Sequence, residues 1–195
     1  MASFVRRCAV LALVLSCGSA RAVSDSAATV ASYFPDGLIN EKGKPVDVNV
    51  LGDKLVGLYF SASWCGPCRV FTPKLIEYHQ RHAGDFEIVF ISSDKSEEAQ
   101  FEYMTHMNWP AMKFGSDAAL ALKKKFEVTG IPTLVLLKHE GDTLVPLTRN
   151  GRGLVMEDVD ASVLKTATIV QESYTCDHCS KTHVRDKVQY TQAAE

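Results

Sequence analysis

No run of 18 or more apolar residues occurs in this 195-residue chain, so nothing in it reads as a standard membrane-spanning helix. An excess of one charge is also missing. Basic residues number 21 and acidic residues 23, a formal net charge of −2, which argues against a nucleic-acid binder driven by a strongly basic surface. A disordered chain would be poorer in apolar residues, which here make up 46 %, and richer in net charge. Internal repeats and low-complexity tracts are absent, and the length suits one domain with tails. Cysteine is too sparse for a disulfide scaffold: six residues, placed unevenly at Cys8, Cys17, Cys65, Cys68, Cys176 and Cys179. The last four form two C-x-x-C pairs, so cysteine chemistry is the first place to look.

The chain opens with Arg6-Arg7, an apolar run from Cys8 to Cys17, and Ala20-Arg21-Ala22. A basic stretch, a short apolar block and a small-x-small site are the layout of a secretory signal peptide, with cleavage expected after Ala22. Residues 1–22 are therefore read as a targeting segment, and the destination as the secretory pathway or the exterior. Organelle import is the alternative, since three arginines and no acid precede Asp25. A buried N-terminal helix or strand would leave the two arginines and the small-x-small site as coincidence. The remaining divisions are residues 23–170 as the folded domain and residues 171–195 as a polar C-terminal tail holding one C-x-x-C.

Within the domain, Val23 to Pro35 reads as a loose lead-in. Short alternating runs around Glu41-Lys42-Gly43-Lys44 predict an N-terminal β-hairpin. Leu55 to Phe60 and Phe86 to Ile91 are continuous apolar runs, as buried strands require. Between them, residues 65 to 82 carry apolar positions at helical spacing, with Pro73 expected to kink the helix. Strand, helix and strand in this order predict a βαβ unit with parallel strands. Ser96 caps the next predicted helix, and another covers Asp117 to Phe126. Thr133 to Leu137 and Asp142 to Thr148 predict an antiparallel pair. Met156 to Ile169 reads as a last amphipathic helix. His79, His82, His106 and His139 read as solvent-exposed, and Lys123-Lys124-Lys125 as a solvated helix face.

Trp64-Cys65-Gly66-Pro67-Cys68 lies between a buried strand and a helix. Cys65 falls at the helix start, where unpaired N–H groups and the macrodipole favour negative charge. Its thiolate is therefore expected below the ~8.5 of a free cysteine, and the thiolate is the nucleophile of disulfide exchange. Cys68 is about one turn away, within reach of Cys65, and Pro67 loses nothing in the first turn. A structural disulfide and half of a zinc site are the bland alternatives; zinc would need two further ligands nearby. Ile131-Pro132 stands directly before the third long strand, a place where cis peptides occur. If that bond is cis and faces Cys65, the Ile131 backbone could pair with an extended substrate.

Together these residues resemble the thioredoxin superfamily, and more closely its tryparedoxin and nucleoredoxin branch. The resemblance is carried by residues 59–75 (YFSASWCGPCRVFTPKL), 87–94 (EIVFISSD), 107–110 (MNWP) and 126–133 (FEVTGIPT). It implies a thioredoxin-like α/β fold, a central mixed β-sheet flanked by α-helices, with dithiol–disulfide exchange as the activity. It places the nucleophile on Cys65, the resolving thiol on Cys68 and the cis-proline on Pro132. Trp64, Gly66, Pro67, Ile131 and Pro132 would form the substrate-binding surface. No metal or cofactor is implied. The partners would be disulfide-containing protein substrates and an unidentified electron donor or acceptor, with the chain itself a monomer.

Three departures qualify the resemblance. Tryparedoxin-like proteins usually carry two prolines between the cysteines, whereas here they are Gly66-Pro67, as in thioredoxins. Thioredoxins bury an aspartate where this chain has Tyr59. The branch usually works in cytosol or nucleus, whereas residues 1–22 read as a signal peptide. Gly66-Pro67 points to a reductase, and a secretory address to an oxidase or isomerase. The reading adopted is a protein-disulfide reductase; a secretory oxidase or isomerase, or a non-catalytic binding module, are the alternatives. In the tail, Cys176, Cys179 and His183 admit zinc or copper binding, a second redox pair, or a simple disulfide.

Overall fold

A computed structural model describes residues 28–175 and 182–189. The expected targeting segment and the Cys176/Cys179 pair lie outside the described residues. One eight-stranded mixed sheet organises the domain, in the order β1-β8-β7-β4-β5-β6-β2-β3. Its strands are β1 (Ala28–Thr29), β2 (Leu38–Ile39), β3 (Pro45–Val46), β4 (Leu55–Ser61), β5 (Phe86–Ser92), β6 (Ala111–Met112), β7 (Thr133–Glu140) and β8 (Thr143–Thr148). The helices are α1 (Val30–Tyr33), α2 (Gly66–Arg81), α3 (Glu97–Met104), α4 (Asp117–Lys125), α5 (Gly151–Met156) and α6 (Ala161–Thr166).

β4 lies at the centre and every one of its residues is buried. Its continuous apolar run serves two faces, because alternate side chains point to opposite sides of a strand. Val56, Leu58 and Phe60 enter a core with Tyr33, Leu122 and Phe126, beneath α1 and α4. Leu55 and Tyr59 enter the other, with Phe71, Leu75 and Tyr78 of α2 and residues of α5 and α6. β4 pairs parallel with β5, Leu55 opposite Phe86, which establishes the βαβ unit. It pairs antiparallel with β7 on its other edge. The expected hairpins form as β2–β3 and β7–β8, and Pro73 lies inside α2.

Four local readings are corrected. Of the helix expected from Met156 to Ile169 only α6 forms inside that range, while α5 ends at Met156, because Asp158 adopts a left-handed backbone (φ 55°) and Asp160 caps α6 by accepting the Ser162 N–H. Ile169 belongs to a strand, β9 (Thr168–Thr175), which pairs antiparallel with β10 (Thr182–Gln189), so part of the polar C-terminal stretch is a hairpin. The lead-in is not wholly loose: β1 pairs with β8, and Tyr33 and Phe34 are buried. Lys125 covers the Tyr33 ring, 4.5 Å from its centroid.

The fourth correction is His79, which is buried rather than exposed. Its Nε2 lies 3.0 Å from Glu87 Oε1, while Lys54 Nζ donates to Glu87 Oε2 at 3.2 Å. Burial alone would raise the Glu87 carboxyl, but the bonds from His79, the Ile88 N–H and Lys54 hold it below its ordinary value. A carboxyl lowered on folding contributes stability above its unfolded pKa and loses it as pH falls through the folded one. Glu87→Gln is therefore expected to cost about 1–3 kcal/mol at pH 7. The gap from the parent protein should narrow below about pH 4, as measured by urea unfolding at the two pH values.

Candidate active site

β4 delivers the chain to Ala62-Ser63-Trp64, and α2 begins immediately afterwards with Cys65 as its N-cap. The helix start is set by Cys65 itself, whose Sγ accepts the Cys68 N–H at 3.2 Å. Cys65 and Cys68 are joined in a disulfide, with Cα atoms 5.2 Å apart. Cys68 is fully buried and Cys65 is 5 % exposed, so the pair presents only an edge of Cys65 to solvent. When the bond is reduced, the N–H now directed at Cys65 Sγ is placed to stabilise a thiolate there.

The Ile131–Pro132 peptide is cis. Cys65 Sγ lies 3.7 Å from the Ile131 carbonyl oxygen, and Ile131 packs on the small buried cluster of Ala62, Cys65 and Cys68. Residues 66 positions apart thus meet because β4 and β7 are neighbours, Phe60 opposite Thr133. Around the disulfide, Gly66, Pro67 and Val70 are exposed. Trp64 is 58 % exposed, and its indole N–H donates to the Ser93 carbonyl at 3.1 Å. The structure therefore brings together Trp64, Cys65, Gly66, Pro67, Cys68, Ile131 and Pro132. His183 falls on β10, and the two cysteines before it lie outside the described residues.

Behind Cys68 the position of interest is Tyr59. Its hydroxyl lies 2.8 Å from Thr72 Oγ1, and that of Tyr103 2.7 Å from the same atom. Thr72 Oγ1 donates onward to the Cys68 carbonyl at 2.9 Å, so both tyrosines donate to Thr72. Burial pushes the Tyr59 hydroxyl up to about 12. Tyr59 therefore remains protonated near neutral pH and does not stand in for a carboxylate as a proton acceptor. Beside this network a cavity of about 450 Å³ is lined by Ser63, Arg69, Thr72, Glu102, Tyr103 and His106, among others. Among the described residues, no group of three or more His, Cys, Asp or Glu side chains is arranged to hold a metal. No described helix is long and apolar enough to cross a membrane.

Reading the sequence alone assigned no role to Thr72, Tyr103, Ser63 or Asp94. One signal was available for the last. Asp94 closes the Ser92-Ser93-Asp94 segment at the carboxyl end of a parallel strand, the edge where α/β sheets gather their functional groups.

A redox-capable cysteine pair capping a helix beside a cis-proline, on a central mixed sheet, defines the class of thioredoxin-like thiol oxidoreductases. The chain belongs to this family, in its tryparedoxin and nucleoredoxin branch. A family model described as thioredoxin-like matches residues 52–143. Tryparedoxin of Trypanosoma brucei brucei is 39 % identical over 138 residues, covering 68 % of this chain and 94 % of that protein. A solved structure of tryparedoxin from Trypanosoma brucei superposes with a TM-score of 0.61 over 68 % of this chain and 94 % of that one, at 39 % identity. Probable nucleoredoxin 1 of Arabidopsis thaliana is 40 % identical over 137 residues, covering 67 % of this chain but 23 % of that protein. The chain thus spans about a quarter of the length of that nucleoredoxin.

Proposed function

We propose that the chain reduces disulfides in protein substrates through a Cys65/Cys68 dithiol–disulfide cycle, in the secretory pathway or outside the cell. The Cys65 thiolate attacks one sulfur of a substrate disulfide, and the other substrate sulfur leaves as a thiolate. The Cys68 thiolate then attacks Cys65 Sγ, releasing the first substrate sulfur and closing the Cys65–Cys68 disulfide. Two electrons pass to the substrate, and a dithiol donor must return two to the pair. The observation that supports this most is the placement of Cys65 Sγ, which accepts the Cys68 N–H and lies against the Ile131 carbonyl. Trp64, Gly66 and Pro67 offer the flat exposed surface, and the Ile131 backbone offers an edge for an extended segment.

The direction of electron flow is a matter of potential. The test uses the full chain with Cys8, Cys17, Cys176 and Cys179 replaced by serine, equilibrated against glutathione. A potential near or below about −250 mV is the expected result and marks a reductant. The segment of residues 1–22 favours a second reading, an oxidase or isomerase, which predicts about −180 mV or above. A pair that does not exchange with glutathione would leave a binding module with a static disulfide.

A further inference from the structure

Asp94 is a buried charge that the proposed cycle leaves unused. It lies two residues beyond β5 and is 9 % exposed. Among the described residues no cation stands within ion-pair distance of it. A carboxylate removed from water without a counter-charge is costly unless neutral donors saturate it. Here they do. Oδ1 accepts the Ser63 N–H at 2.8 Å and the Ser63 hydroxyl at 2.7 Å, and Oδ2 accepts the Ser92 hydroxyl at 2.7 Å. Ser92 Oγ in turn accepts the Asp94 N–H at 3.0 Å.

Every one of these donors lies either in the Asp94 loop or in the segment entering the disulfide. Ser63 is two residues before Cys65, and the residue between them, Trp64, is tied by its indole N–H to Ser93 in the same loop. The loop of Ser92 to Asp94 therefore grips the backbone before the nucleophile at one point and the exposed aromatic at another. We infer that Asp94 is a positioning residue for disulfide exchange, holding Ser63 and Trp64 so that Cys65 Sγ and the indole face an incoming substrate together. The inference rests on Cys65 being the attacking sulfur. A neutral amide is a poor replacement. Asparagine keeps one acceptor for Ser63 but turns an NH₂ toward Ser92 Oγ, which needs an acceptor for its own proton.

The test compares Asp94→Asn and Ser63→Ala in the full chain with the parent. Asp85→Asn, which loses a half-buried pairing with Lys165 instead, is the control. Three readouts are taken: steady-state reduction of a protein disulfide, acrylamide quenching of tryptophan, and iodoacetamide alkylation of reduced Cys65 against pH. Quenching reports Trp64, because the other tryptophan, Trp109, is buried. Asp94→Asn is expected to lower kcat/KM at least about tenfold, mostly through KM, and to raise quenching. Ser63→Ala should move both readouts the same way by less, and Asp85→Asn neither.

If Asp94→Asn exchanges like the parent and quenches like it, the positioning role is overturned while the reading of the site stands. The role is equally overturned if only the alkylation midpoint moves, since that is a pure charge effect. If the parent itself exchanges nothing, the reading of the site fails and takes this role with it. Should Asp94→Asn not fold, Ser63→Ala decides, because it removes one bond and leaves the carboxylate satisfied by the rest.

Discussion

Replacing Cys65 with serine is expected to lower disulfide exchange at least about 10³-fold, to the uncatalysed background. The reason is chemical rather than structural. A serine hydroxyl fits the N-cap and can accept the Cys68 N–H as the sulfur does, so α2 should start where it does now. It cannot form a disulfide, and its anion is out of reach near neutral pH. Cys68→Ser should behave differently. Cys65 can still attack, but nothing resolves the product, so the variant should accumulate one equivalent of mixed disulfide with its substrate, visible as a mass increase on non-reducing analysis. Cys68 is wholly buried, which leaves Cys65 as the sulfur a macromolecule can touch. Trapping through Cys68 in the Cys65→Ser variant would reverse the two roles.

Gly151→Ala is expected to be the most damaging single methyl addition outside the site. Gly151 opens α5 where the helix lies across β7. A Cβ there would stand 2.7 Å from Leu136 Cγ and 2.8 Å from the Leu134 carbonyl oxygen. The second contact is backbone of a central strand, so relief requires α5 to move off the sheet. Overpacking of this kind costs about 1–3 kcal/mol, occasionally more. A domain of this size then loses about 2–12 °C in thermal midpoint. Gly84→Ala is the comparison, since nothing lies within 4 Å of its added carbon. It should stay within about 0.5 kcal/mol of the parent. Equal midpoints for the two variants would show that α5 is not packed as tightly as its geometry implies.

Much of the architecture was legible in the residues because its strongest signals are local. Leu55 to Phe60 and Phe86 to Ile91 are apolar throughout, which only a strand covered on both faces explains, and both are central. Ser96 before Glu97-Glu98 is a cap signal, and its hydroxyl does accept the Ala99 N–H. The cysteine pair and Ile131-Pro132 were legible as chemistry. What stayed hidden depends on partners distant in sequence. The two-residue strand β6 has no periodicity of its own and exists through β2 and β5. His79 looks like any surface histidine until Glu87, on another element, is seen to meet it. The break at Asp158 hides inside apolar spacing that continues on either side, since Val155, Val159 and Val163 follow at four-residue intervals. Thr72 and Tyr103 become a network only once the fold brings their hydroxyls within 2.7 Å.

The pairing of Phe60 with Thr133 has a consequence for which parts of this chain can vary. The Cys65 sulfur and the Ile131 carbonyl are spaced by a ladder of strand hydrogen bonds, not by the length of chain between them. Apart from Ser93–Asp94 and Ile131–Pro132, which touch the site, loops between β5 and β7 hang outside that ladder, and longer ones cost little closure entropy. They are free to grow, shrink or acquire new binding surfaces while the reacting atoms keep their separation. A slip of one residue between β4 and β7 would instead shift Ile131 by about 3.3 Å and turn its neighbours to the opposite face. Register, rather than loop length, is thus the dimension along which this site is brittle.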